Sequence, residues 1–150
     1  MRTIKFRGKD IVTGEWVVGN LFQGKRQGED YAVILMDKRY VHEEKLPEDI
    51  PFGFYKDEIA VVKRETVGHF TGLCDCYART IYEGDILMFR DEEDCNDTLV
   101  VMWDKGSFAA EYPNRREGEC IRSNYFPVHP EIFRVVGNIH DNPELPERGL

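Results

Sequence analysis

Cys74 and Cys76 stand one residue apart in the stretch FTGLCDCYARTIYEGDIL at 70–87, with His69 just upstream. Thiols and an imidazole this close raise two chemistries, a metal centre and a redox pair. Structural zinc takes four Cys or His ligands, in pairs two to four residues apart. Cys74-Asp75-Cys76 has one intervening residue, and Cys95 and Cys120 stand alone further on. No C-x-x-C occurs, and His69 has no helpful spacing to the other histidines. In a strand, the C-x-C spacing puts both thiols on one face and Asp75 on the other. A disulfide closed across that spacing would be strained. The expectation is no metal, no cofactor and reduced thiols.

Other chemistry is equally thin. The acidic run Asp91-Glu92-Glu93-Asp94-Cys95-Asn96-Asp97 lacks the sixth-position glycine of a calcium loop, and its twelfth position is Met102. A solvated hairpin loop explains it better. There is no G-x-S-x-G, and Ser107 and Ser123 are the only serines. No phosphate-binding loop or dinucleotide fingerprint occurs, and His42-Glu43-Glu44-Lys45 lacks the second histidine of a zinc-protease helix. Glu83 and Asp85 flank a glycine, which suits a turn better than acid–base work. No catalytic residue is identified, and the chain reads as a non-enzyme. A metalloprotein or an enzyme of unmarked chemistry remains as the third possibility.

Binding has more material. The chain has 150 residues and a net charge of −8, but the charge is uneven. Residues 1–26 hold six basic against two acidic side chains, a net +4; the rest hold fourteen against twenty-six, a net −12. Arg2, Lys5, Arg7 and Lys9 recur along one segment, with Phe6 and Trp16 among them. Basic residues interleaved with aromatics are what a single-stranded nucleic acid needs, phosphates on the cations and bases on the rings. The acidic remainder opposes this, since it repels phosphate. The basic segment could equally dock on an acidic surface of a second copy. The alternative contact is an aromatic patch, Phe52, Phe54 and Tyr55, which would mark a protein partner if exposed.

The elements that must position these residues are strands. Aromatics make up 12% of the chain and run along its whole length; with 13 Gly and 7 Pro they favour short strands and tight turns over long helices. Period-two alternation predicts a strand over 3–7, a turn at Asp10–Gly14 and a second strand over 15–22, a hairpin. A polar loop is expected over 24–30, then strands at 31–36 and 39–42. Residues 43–58 are irregular, with room for a short helical turn over 43–50. Further strands are expected at 59–62, 65–70, 78–81, 85–89, 98–103, 107–112 and 132–139. Asp104-Lys105-Gly106 reads as a hairpin turn. VVGN occurs twice, at 17–20 and 135–138, which suits two similar halves.

The opening MRTIKFRGKD has no apolar core of a secretory leader, and the longest apolar run, Ala32–Met36, is too short to span a bilayer. A cytoplasmic protein with no membrane contact is expected.

A family resemblance runs through the same segments. ETVGHFTGLCDCYARTIYEGDIL at 65–87 resembles the signature of the YopX family of phage and prophage proteins. IKFRGKD at 4–10, GEWVVGNL at 14–21, VVMWDKGSF at 100–108 and RVVGNIHDNPEL at 134–145 resemble other parts of that family, in order. Where this chain has Cys74, Cys76 and Ala78, the family turn carries polar or charged residues and a glycine, so the thiols are a local departure and not family ligands. Gly68, Gly72, Gly84, Asp85 and Gly137 match family positions. The glycines suit tight turns, and Asp85 suits an acceptor for backbone N–H groups. The resemblance implies an all-β fold, self-association and a bacterial host.

Together these expectations are an all-β chain of two small barrel-like halves of SH3-like type, 1–62 and 63–141, with a tail over 142–150. It acts by binding a phage or host macromolecule as a homo-oligomer. Single-stranded nucleic acid, held by Arg2, Lys5, Arg7 and Lys9, is the alternative ligand.

Overall fold

The computed structural model describes residues 3–36, 59–91, 98–112 and 126–146. The expected strand at 39–42, the helical turn at 43–50, Arg2, the Phe52–Phe54–Tyr55 patch, Cys95 and Cys120 lie outside the described residues. The chain divides into two compact units, Met1–His69 and Phe70–Leu150.

The first unit is a sheet of antiparallel strands. β1 (Phe6–Lys9), β2 (Trp16–Arg26), β3 (Glu29–Met36) and β4 (Ile59–Val62) pair with their neighbours in order, and the start of β5 (Gly68–Cys74) pairs with the free side of β1. Val17, Ala32, Ile34, Ala60 and Val62 line one face and form the core, with Leu21 and Met36 packed against it. An isolated bridge from Asp10 to Val62 carries the end of β1 to β4, so the sheet curls back on itself. One bridge is not a ladder, so no continuous barrel closes.

In the second unit the later residues of β5 pair with β6 (Thr80–Tyr82). A four-stranded sheet follows in the order β10-β7-β8-β9, from β7 (Asp85–Phe89), β8 (Thr98–Asp104), β9 (Ser107–Glu111) and β10 (Phe133–Asn138). Ile81, Leu87, Leu99, Val101, Phe108, Ala110, Phe126 and Phe133 form its core. The protein is therefore all-β, as the strand periodicity predicts. Among the described residues both sheets are open, and the helical elements are 3-10 turns, so no helix there is long and apolar enough to cross a membrane.

Several segments differ from expectation. The first strand, expected over 3–7, runs instead from Phe6 to Lys9. The polar stretch at 24–30 is not a loop: β2 runs to Arg26 and β3 resumes at Glu29, across a two-residue turn of Gln27 and Gly28. Both turn residues have positive φ, 50° and 87°, the pattern that matches strand twist in a tight hairpin. Lys105 and Gly106 make the same turn between β8 and β9, at 49° and 85°. The expected strand at 65–70 begins instead with a 3-10 turn, Arg64–Thr66. Thr66 explains it: its hydroxyl donates to the Lys63 carbonyl at 2.6 Å and accepts the Lys9 N–H at 2.8 Å. The repeated VVGN does not repeat an environment. Asn20 is exposed, whereas Asn138 is buried and its side-chain oxygen accepts the N–H groups of His140 and Asp141.

Candidate functional site

The β1–β2 hairpin is set by a buried aspartate. The Asp10 carboxylate accepts the Val12 and Thr13 N–H groups at 2.6 and 3.3 Å, and Asp10 and Glu15 are joined by a backbone bond of 2.9 Å. This local turn competes well with any longer loop, since an aspartate side chain bonds its own backbone two residues on. It fixes the register that follows, with Lys9 opposite Trp16 and Arg7 opposite Val18.

Register decides which side chains share a face. Phe6 and Gly8 point to the core side: Phe6 stacks on His69 at 4.7 Å between ring centres, and Gly8 stands against Val62. Arg7 and Lys9 point the other way, while Lys5 precedes the strand. On the same outward face β2 presents Trp16, Val18, Asn20 and Phe22. The Arg7 guanidinium lies 4.7 Å from the Trp16 ring centre and the Lys9 ammonium 5.5 Å from it. Each contact is worth roughly 0.5–1 kcal/mol at an exposed site, enough to orient the ring without burying it. Trp16 stays half-buried, Asn20 is exposed and Phe22 is 37% exposed. Of the four expected basic residues, Arg7 and Lys9 meet on one face with Trp16; Lys5 precedes the strand, and Arg2 lies outside the described residues. Phe6 does not join them.

The two described cysteines join no cluster of metal ligands. Cys74 is exposed, Cys76 partly so, and both are free thiols. His69 stands at the other end of β5, held by Phe6. Among the described residues no three His, Cys, Asp or Glu side chains converge as metal ligands.

What the sequence did not single out is Asp75, between them. It is buried, and one carboxylate oxygen accepts the N–H groups of Tyr77 and Arg79 at 2.8 and 2.9 Å. The other accepts the Val135 N–H of β10 at 2.9 Å, and the Cys76 N–H donates to the Phe133 carbonyl at 2.9 Å. The hairpin tip is clamped to β10, which answers what the C-x-C stretch is: a turn built around its central aspartate. Ala78 has a φ of 61°, so it takes the conformation a glycine would take. Replacing Ala78 with Gly should therefore stabilise the protein by about 0.5–1 kcal/mol, strain relief exceeding the added chain entropy. A urea midpoint that falls in A78G would contradict the strain at this position. Asp85 fills the role expected of it, fully buried and accepting the Tyr82 N–H at 2.8 Å.

No curated protein matches this sequence. Among solved structures the chain is similar to protein EF1440 from Enterococcus faecalis, at 18% identity over 97% of this chain and 99% of that one, with a TM-score of 0.49. The sequence model described as YopX protein matches residues 5–147.

Proposed function

The chain belongs to the YopX protein family, and we propose that it works without catalysis, as a binding module for single-stranded nucleic acid. The supporting observation is the outward face of the β1–β2 hairpin, where Arg7 and Lys9 flank the Trp16 ring at 4.7 and 5.5 Å. Cations that hold phosphate and a ring that stacks bases are the two parts such a groove needs. The net charge of −8 limits affinity and makes it depend on this local patch. A phage-encoded protein in a bacterial cytoplasm would meet such strands.

The test is fluorescence anisotropy with a labelled oligothymidine at low salt, using wild type and the variant K5A/R7A/K9A. Affinity is expected to drop at least ~10-fold when three phosphate-facing charges go. Equal affinity in the two proteins would remove the assignment.

A second function is favoured by the charge asymmetry, +4 over residues 1–26 against −12 over the rest. The basic strand then docks on an acidic surface of another copy, giving a homo-oligomer. Light scattering separates the two, since such an oligomer dissociates as salt rises and a salt-independent monomer has no such contact.

A further inference from the structure

We propose that Cys74 and Cys76 form a peroxide-reactive dithiol, in which Cys76 is oxidised first and Cys74 then closes a reversible disulfide on it. The site goes beyond the binding function proposed above and does not depend on it.

The Asp75 clamp decides where the two thiols point. The carboxylate is held inward by the N–H groups of Tyr77, Arg79 and Val135. In extended backbone the neighbours of an inward residue face the other way. Cys74 is accordingly exposed and Cys76 half-buried, and both are free thiols. The tip beyond them is short: the Asp75 N–H donates to the Arg79 carbonyl at 2.9 Å, and the Ala78 N–H to the Asp75 carbonyl at 3.0 Å. Tyr77 is 61% exposed, so a small oxidant reaches this end of the hairpin.

Charge marks the first sulfur to react. The Arg90 guanidinium is bonded to Asp91 at 3.0 Å, and Asp91 first, then Cys76 and Tyr77, hold it above its ordinary pKa. Cys76 therefore has a cation within electrostatic reach. Partial exposure beside a positive charge, with a second cysteine at hand, is the setting of thiols that peroxide oxidises reversibly.

The steps balance with peroxide alone. The Cys76 thiolate attacks one oxygen of hydrogen peroxide; the O–O bond breaks, an S–O bond forms, and the second oxygen leaves as water. The Cys74 thiolate then attacks the Cys76 sulfur; an S–S bond forms, the S–O bond breaks, and the hydroxide leaves as a second water. The two thiols give up two electrons, and one peroxide is reduced to two waters.

Closure works against the clamp. Residues two apart in a fully extended strand have Cα atoms about 7 Å apart, at the outer limit for a disulfide. The backbone at Asp75 must draw in, yet it is tied to β10 by the Val135 bond and by the Cys76 N–H to the Phe133 carbonyl, both at 2.9 Å. Such strain makes the bridge easy to reduce, as it is for labile regulatory disulfides.

In the experiment the full chain is treated with hydrogen peroxide, with or without the sulfenic-acid trap dimedone, then alkylated and cut with trypsin. Cleavage after Arg64 and Arg79 releases the peptide 65–79, whose only cysteines are Cys74 and Cys76. In wild type this peptide should lose two hydrogens and both alkylation sites, and reduced glutathione should restore them. C74S should form no bridge and carry a dimedone adduct on Cys76, whereas C76S should show neither over the same time. The wild-type result needs no variant, so a folding defect in either serine protein leaves the test intact. A wild-type peptide that stays fully alkylated, a C76S adduct equal to that of C74S, or a bridge that glutathione does not reduce would each overturn the proposal.

Discussion

Gly19→Ala is expected to abolish the fold of the first unit. Gly19 lies in β2, opposite Phe6 on one neighbour and Met36 on the other. A Cβ there would overlap the carbonyl oxygen of Leu35 and stand 2.7 Å from its carbonyl carbon and 3.0 Å from the Met36 Cα. All three are backbone atoms of β3, so no rotamer change relieves the clash. The β2–β3 ladder must open instead, and Ala32 and Ile34 of the core lie on the strand that would move. A loss above about 4 kcal/mol places this among the exceptional single substitutions. Gly24 is the internal control. The nearest atoms to its added Cβ are those of the Tyr31 side chain, at 2.5–2.9 Å, and that ring can swing aside. Urea unfolding of the two variants should give a far larger drop for G19A than for G24A. Comparable drops would mean that the β2–β3 approach at Gly19 is not as close as described.

Asp75→Ala comes second, at about 3–5 kcal/mol. The side chain satisfies three backbone N–H groups, and removing it leaves each without its acceptor at a cost of about 1–3 kcal/mol apiece, with some relief from water. Asp75→Asn should cost less, about 1–3 kcal/mol. Its oxygen keeps the Tyr77 and Arg79 bonds, but its amide then faces the Val135 N–H, donor to donor. The ranking Ala below Asn below wild type is expected in urea midpoints. An alanine variant within about 0.5 kcal/mol of wild type would show that the clamp on β10 is dispensable.

These two residues also mark what local sequence patterns convey. The hairpin at the start of the chain was legible because each of its parts is local. Alternation over residues 3–7 separates Phe6 from Lys5 and Arg7, and Asp10 and Gly14 build the turn from neighbouring atoms. The basic residues could therefore be named in advance, and Trp16 with them. The extent of β2 and β3 was not legible, since GKRQGED is polar throughout and only pairing shows that its polar side chains face outward along two strands. Asp75 was hidden for another reason. Its partner Val135 is 60 residues away, and nothing within the C-D-C stretch signals that bond. The thiols on either side drew the chemistry, while the carboxylate between them holds the structure. The same distance hid the need for glycine at position 19, which is set by the backbone of β3 and not by its own strand. The family signature, in contrast, reads through all these segments at once, and it covers residues 5–147.

Binding of single-stranded nucleic acid to the β1–β2 face is tested most directly by titrating wild-type protein with labelled oligothymidine across a range of salt concentrations. Contacts from Lys5, Arg7 and Lys9 to three phosphates should give a slope of about −2 in log K against log salt, from roughly 0.7 per phosphate for single strands. A slope near zero, or no binding at the lowest salt, would contradict the proposed function and leave another copy of the chain as the partner of the basic strand.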